Sequence, residues 1–211
     1  MGIKERKGRA KEDLTKLILE AAKALFIERG FKYTSIRNIA ERIEYSPTTI
    51  YLYFKDKDAI FHAIHTEGFN LLNLKMSVLF SVEDSFERLK AMGHIYYTFA
   101  LENRELYDLM FIQEAPMNFI EEEFDEGKWQ EGKTAFDFLQ GTVKECMDKG
   151  YLPKADVETT AFYIWASIHG MCALDIRCRC KMISDEKREH IVEYGYQVMT
   201  LILENLKKNK N

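Results

Sequence analysis

Residues 34–57 read Thr34-Ser35-Ile36-Arg37-Asn38-Ile39-Ala40-Glu41-Arg42-Ile43-Glu44-Tyr45-Ser46-Pro47-Thr48-Thr49-Ile50-Tyr51-Leu52-Tyr53-Phe54-Lys55-Asp56-Lys57. Two helix starts lie in this stretch. Ile36, Ile39, Ala40 and Ile43 recur at three- and four-residue spacing, the period of a helix with one buried face. Thr34 or Ser35 can cap that helix by accepting a bond from one of its free backbone N–H groups. Ser46-Pro47 starts the next: the hydroxyl caps, and proline fits the first turn because its fixed φ is helical and it has no N–H to lose. Only Glu44-Tyr45 separates the two, so the turn is tight. Two short helices so joined form a helix-turn-helix, whose second helix fits the major groove of DNA. Ile50 supplies the packing contact from the second helix, and the small Ala40 lets the helices approach closely. Arg37, Thr48, Thr49, Tyr51, Tyr53 and Lys57 are polar-tipped and do not suit a buried face. Arginine can bond a guanine edge bidentately, and threonine and tyrosine reach phosphates or thymine methyls.

Upstream, Leu14, Leu17, Ile18, Ala21, Leu25 and Phe26 give a first amphipathic helix beginning after Asp13. Arg29-Gly30 ends it, with Gly30 placed for the left-handed conformation. Phe31 and Tyr33 pack the turn. Downstream, the third helix spans Pro47 to Phe54, and Asp56 can cap a fourth from Lys57 to about Leu79. Helical patterning continues at about 84–103, 105–113, 128–149, 155–180 and 185–207, with Pro116 and Pro153 in the gaps and an acidic connection at 117–127 (Glu121, Glu122, Glu123, Asp125, Glu126). The expectation is an all-α chain of about nine helices. Residues 1–56 form the helix-turn-helix domain, and 57–211 a second domain for ligand sensing and dimerisation. With the fourth helix as the linker, the two domains are expected to be rigidly joined.

The bulk composition agrees. Of 211 residues, 46% are hydrophobic, enough for a buried core, and only 3 are Pro and 11 Gly, which favours helices over a sandwich or barrel. The net charge of −4 hides an asymmetry: residues 1–60 carry 13 Lys+Arg against 9 Asp+Glu, so the remainder is at −8. A basic segment on an acidic body points to contact with a polyanion through the first segment alone. No apolar run approaches the ~18 residues of a membrane span, and the charged N-terminus has no signal-peptide apolar core. The expectation is a cytoplasmic protein with reduced thiols. Cys178-Arg179-Cys180 is too tightly spaced for a zinc-ligand pair, although Arg177, Arg179 and Lys181 can lower a thiol pKa. No metal cluster, phosphate loop or nucleophile motif is present, so neither a cofactor nor an enzyme is expected. A helical interaction module without DNA binding would leave Arg37, Thr48, Thr49, Tyr51 and Tyr53 idle on the surface.

Residues 12–60 resemble the DNA-binding domain of the TetR family of repressors. The family signature, roughly T-S-x-R-x-I-A, a turn, then S-x-x-T-[LI]-Y-x-Y-F-x-x-K, stands here as Thr34 to Ala40 and Ser46 to Lys57. The resemblance implies that Arg37, Pro47, Thr48 and Tyr51 approach base edges, and that Ser35, Thr49, Tyr53 and Lys57 hold phosphates. A basic arm of Lys4, Arg6, Lys7, Arg9 and Lys11 can add backbone contacts. The family usually has glycine where Glu44 stands, so Glu44 either takes a positive φ at a cost of about 1 kcal/mol or the turn adjusts. Further on, Trp165, His169 and Gly170 resemble a W-x-x-x-H-G motif of one class of C-terminal domains in that family. The implied effector pocket would be lined by Tyr96, Tyr97, Met110, Phe111, Phe136, Phe162, Trp165 and His169, and would suit an apolar or aromatic small molecule. Ile168, Met171, Cys172, Leu174, Ile191, Tyr194, Val198, Met199 and Ile202, on the last two helices, are candidates for a homodimer seam. Two-fold symmetry would match double-stranded DNA with a palindromic operator.

Overall fold

A computed structural model of the chain describes residues 3–113 and 130–208, without the side chains of 3–10, 130, 131 and 208. The acidic connection at 117–127 lies outside the described residues. Among them are ten α-helices and one 3₁₀ turn. They are α1 (Ile3–Arg29), α2 (Ile36–Arg42), α3 (Pro47–Tyr51), α4 (Lys57–Ser77), the 3₁₀ turn Val78–Ser81, α5 (Ser85–Glu102), α6 (Arg104–Phe111), α7 (Gln130–Asp148), α8 (Val157–Ile176), α9 (Asp185–Arg188) and α10 (Ile191–Lys208).

The chain divides into two compact units. The first takes the residues up to Gly68 and resumes at Leu109; the second takes Phe69–Asp108 and the chain from Trp129 onward. The division falls inside α4, between Gly68 and Phe69.

In the first unit α1 packs on α2, and α2 on α3. Ile18, Ala22, Leu25 and Phe26 of α1, Ile36, Ile39 and Ala40 of α2, Ile50 of α3 and Ile60 and Phe61 of α4 make the core. Phe26, Phe31 and Phe61 close it as a trio of rings with centroids 5.2–5.8 Å apart. Leu17 lies outside it, 41% exposed. α1 begins at Ile3, well before its apolar period. Residues 3–13 carry no such period, but their lysines, arginines, glutamates and alanine are good helix formers. The basic arm read from Lys4 to Lys11 is thus backbone-helical, an extension of α1.

In the second unit α5 packs on α7, α8 and α10, with α8 also against α7 and α10. Phe86, Leu89, Val143, Cys146, Met147, Leu152, Ala161 and Ile164 form one buried cluster. Asp84 and Asp156 start α5 and α8 by accepting from backbone N–H groups at 2.8–3.1 Å. α3 ends at Tyr51 rather than Phe54, and in the second unit two further boundaries differ from the sequence reading. α8 stops at Ile176 because Cys178 takes φ 53° and its neighbours fold the chain back onto the last carbonyls. The stretch 185–207 is two helices, since a turn after Arg188 separates α9 from α10.

Candidate functional site

The helix-turn-helix is fixed by its caps. Thr34 and Ser35, either of which could cap α2 by sequence, have separate tasks. Thr34 is buried, donating to the carbonyls of Leu25 and Gly30. Ser35 Oγ accepts the Asn38 N–H at 3.2 Å while Asn38 Oδ1 accepts the Ser35 N–H at 3.0 Å, a reciprocal capping box. Ser46 Oγ accepts from the Thr49 N–H at 3.1 Å, with Pro47 at the first helical position, and Asp56 accepts from the Ala59 N–H at 2.7 Å. The turn between α2 and α3 closes on Glu44 at φ 58°, with Tyr45 N–H bonded to Ala40 O and Glu44 N–H to Glu41 O. A glutamate therefore occupies the left-handed conformation that glycine takes at least cost.

These caps leave one face of α2–α3 uncovered. Ser35, Arg37 and Thr48 are exposed, Tyr51 is 56% exposed, and Pro47, Thr49 and Tyr53 are half-buried. Tyr33, expected to pack the turn with Phe31, is instead 73% exposed, and Tyr45 and Leu52, the last 77% exposed, are further surface groups on this unit. Lys57 is placed differently from the other expected phosphate ligands. Its Nζ donates to Phe31 O at 2.6 Å and stands 4.0 Å over the Phe31 ring. Partial burial lowers its pKa, with Asp58 opposing the shift. Arg42 is also committed, in a two-pronged pair with Glu28 at 2.6–2.7 Å. Among the basic arm residues, Lys11 is exposed and the side chains of Lys4, Arg6, Lys7 and Arg9 lie outside the described residues.

The expected effector residues fall into separate groups. Tyr96, Trp165 and His169 converge inside the second unit, around Tyr107. Trp165 Nε1 donates to Tyr96 Oη at 2.9 Å, Tyr96 Oη and Tyr107 Oη are 2.9 Å apart, and Tyr107 Oη lies 2.7 Å from His169 Nδ1. Burial pushes both phenol pKa values up, so both hydroxyls keep their protons. A relay that uses each proton once runs indole N–H to Tyr96, Tyr96 O–H to Tyr107, and Tyr107 O–H to His169 Nδ1. That assigns the His169 proton to Nε2. Burial also lowers the His169 pKa, which favours the neutral ring the relay requires. Tyr107 was missed because it looks like one more apolar residue on the Leu106–Met110 face of α6. Nothing in the local spacing pairs it with α8.

Phe136 and Phe162 flank this group, their rings 6.1 and 6.2 Å from that of Trp165, with Phe162 56% exposed. Tyr97 belongs elsewhere, among His94 and Tyr196. Met110, buried, and Phe111, half-buried, belong to the first unit. Two ion pairs tie α6 to the end of α8: Arg104 to Asp175 and Arg177 to Asp108, each at 2.8 Å.

Of the proposed seam, Ile168 and Cys172 are buried within the second unit and cannot face a partner. Burial pushes the Cys172 thiol up to about 12. Met171, Ile191 and Met199 are half-buried. Leu174, Tyr194, Val198 and Ile202 are exposed, and Tyr163, Leu201 and Leu206 extend the same apolar surface along α8 and α10. A Cβ added at Gly170 would meet nothing within 4 Å, whereas Gly195 lies so close to Met171 Sδ that it leaves no room for one.

No helix among the described residues is long and apolar enough to cross a membrane. Residues 18–64 match the family described as bacterial regulatory proteins, tetR family, and residues 89–199 match the tetracyclin repressor-like C-terminal domain. No curated protein matches the sequence. Among solved structures, the fatty acid degradation regulator FadR from Bacillus halodurans is similar over 88% of this chain and 94% of its own, with TM-score 0.70 and 19% identity. FadR from Bacillus subtilis, solved in complex with stearoyl-CoA, is similar over 93% and 99%, with TM-score 0.68 and 18% identity. The TetR family regulator PfmR from Thermus thermophilus gives 88% and 94%, with TM-score 0.65 and 18% identity. At such identities the structural likeness speaks for the fold, and the family follows from the two sequence matches: this chain belongs to the TetR family of bacterial transcriptional regulators.

Proposed function

We propose that the chain is a ligand-responsive repressor that binds a palindromic operator as a homodimer and is released by a small molecule with a substantial apolar part. The observation that carries the DNA half is the uncovered face of the capped α2–α3 pair. Arg37, Pro47, Thr48 and Tyr51 meet base edges, and Ser35, Thr49 and Tyr53 meet phosphates. Lys57 serves from behind, holding the Phe31 turn through its ammonium. The exposed apolar surface of α8 and α10 supplies the two-fold seam, through Leu174, Tyr194, Val198 and Ile202.

The Tyr96–Tyr107–Trp165–His169 relay supports an effector whose polar group exchanges hydrogen bonds with it while Phe136 and Phe162 receive apolar surface. The fatty acid regulators of the same fold, one bound to stearoyl-CoA, favour a fatty acyl ligand over a purely aromatic one. Such a ligand releases DNA only through its differential affinity for two conformations, and α4, which contributes residues to both compact units, is the element to carry the shift. The test titrates acyl-CoAs of rising chain length into the protein in a Trp129→Phe background, where Trp165 is the remaining indole. Fluorescence change and operator release at the same concentration support the proposal. Release without any change at Trp165 moves the pocket elsewhere. Operator binding that no acyl-CoA relieves refutes the ligand class.

A further inference from the structure

Cys178 and Cys180 lie in the loop after α8 and take no part in the DNA face, the relay or the seam. Cys178 is exposed and Cys180 half-buried, whereas Cys146 and Cys172 are buried. The segment reads Arg177-Cys178-Arg179-Cys180-Lys181, three cations in five residues with no acid. Cys178 occupies the position just past the end of α8. Its N–H bonds Asp175 O at 2.9 Å, the Arg179 N–H bonds Leu174 O at 2.7 Å, and φ is 53°. That is the left-handed end of a helix, where glycine is the usual residue and any side chain costs about 1 kcal/mol. The chain nevertheless presents a thiol there, facing solvent. The rest of the loop is held from below: Arg188 donates to the carbonyls of Cys180, Lys181 and Ile183 at 2.7–3.3 Å. One exposed sulfur and one sheltered sulfur, two residues apart, are thus presented on a braced and cationic loop.

We propose that Cys178 and Cys180 are a peroxide-reactive dithiol, with Cys178 the attacking sulfur and Cys180 the resolving one. The spacing suffices, because two residues of extended chain span at most ~7 Å and a disulfide needs its Cα atoms within about 4.4–6.8 Å. Exposure and burial divide the two roles. Cys178 is the sulfur a solute can reach, while burial, with Asp175 adding to it, raises the Cys180 pKa and keeps a proton on the resolving thiol. Arg179 and Lys181 oppose capture of a metal cation, and no third His, Cys, Asp or Glu completes a metal site among the described residues. The oxidant is a hydroperoxide. The Cys178 thiolate attacks its distal oxygen, the S–O bond forms, the O–O bond breaks, and the alcohol or water leaves with a proton. Cys178 is then a sulfenic acid, oxidised by two electrons that reduce the peroxide. The Cys180 sulfur attacks it next: the S–S bond forms, the S–O bond breaks, and the hydroxyl leaves as water with the Cys180 proton. The sum is two thiols and one hydroperoxide giving one disulfide, one alcohol and one water.

The experiment treats the reduced full chain with one equivalent of hydrogen peroxide and follows intact mass. The expected result is a loss of about 2 Da, two hydrogens, reversed by dithiothreitol. The bond maps to a peptide containing both 178 and 180, while Cys146 and Cys172 remain alkylatable thiols after denaturation. Cys180→Ser should stop at a sulfenic acid that dimedone traps on Cys178, and Cys178→Ser should neither lose mass nor consume peroxide at the parent rate. The proposal is overturned if the parent gives as much dimedone adduct as Cys180→Ser, if the bond forms between chains, or if the buried cysteines react as fast as Cys178.

Discussion

Replacing Lys57 by Met separates two roles for that residue. The ammonium donates to Phe31 O at 2.6 Å and lies 4.0 Å above the Phe31 ring, inside the turn that joins α1 to α2. Met keeps the apolar stem and removes only the charge. A hydrogen bond from a charged group contributes about 1.5–3 kcal/mol, and a cation over an exposed ring about 0.5–1 kcal/mol. Against this, Lys57 is the first residue of α4, where the positive end of the helix disfavours a cation by about 0.3–1 kcal/mol. The net loss is about 2 kcal/mol, which for a chain of this size lowers Tm by roughly 4–8 °C. Thermal unfolding measures that. Operator affinity at stepped salt measures the other role. A residue that neutralises a phosphate shortens the slope of log affinity against log salt by about 1 when it is removed, whereas a brace of the turn leaves the slope unchanged. A Lys57→Met protein with parental Tm and a slope shorter by about 1 would refute the brace and return Lys57 to the phosphates.

Glu44→Gly should raise stability by about 1 kcal/mol, because φ 58° no longer crowds a Cβ, while Glu44→Ala should give nothing; equal effects of the two in urea denaturation would deny the strain. Val198→Glu and Ile202→Glu, each charging a residue 56% exposed, should split the dimer and abolish operator binding together in sedimentation and anisotropy measurements; a monomer with parental affinity would remove the seam. Burial holds the His65 pKa down at about 4, against an ordinary 6.5. The unfolded chain therefore binds a proton between those values that the folded chain does not. The stability this ring supports is whole above pH 6.5 and falls as pH drops toward 4, by about 2 kcal/mol at pH 5. His65→Gln should flatten that part of the urea-midpoint profile, and an unchanged profile would contradict it.

The first unit was legible because its signals are local. Ser46-Pro47, the isoleucine period of α2 and the left-handed positions at Gly30 and Glu44 are each decided within a few residues, and the structure has them there. The second unit was legible only as helices. Its polar core joins Tyr96 to Tyr107 and His169 across 11 and 73 residues, and no local pattern announces such contacts. Periodicity puts Leu174 on the opposite side of α8 from Ile168 and Cys172, but with apolar residues on both sides it could not say which side meets the core: Ile168 and Cys172 turn inward and Leu174 outward. Lys57 was legible as a cation but not as a partner of Phe31, because that bond depends on how the turn after α1 returns to the start of α4.

The most direct test of the account is selection of genomic DNA by the full-length protein, followed by footprinting of the recovered sites with the parent and with Arg37→Ala and Thr48→Ala. The account predicts enrichment of a palindromic sequence, protected in two symmetric half-sites about one helical turn apart, with both variants relaxing base preference in each half-site. Recovery of unrelated sequences without two-fold symmetry, or a footprint that both variants leave unchanged, would contradict it.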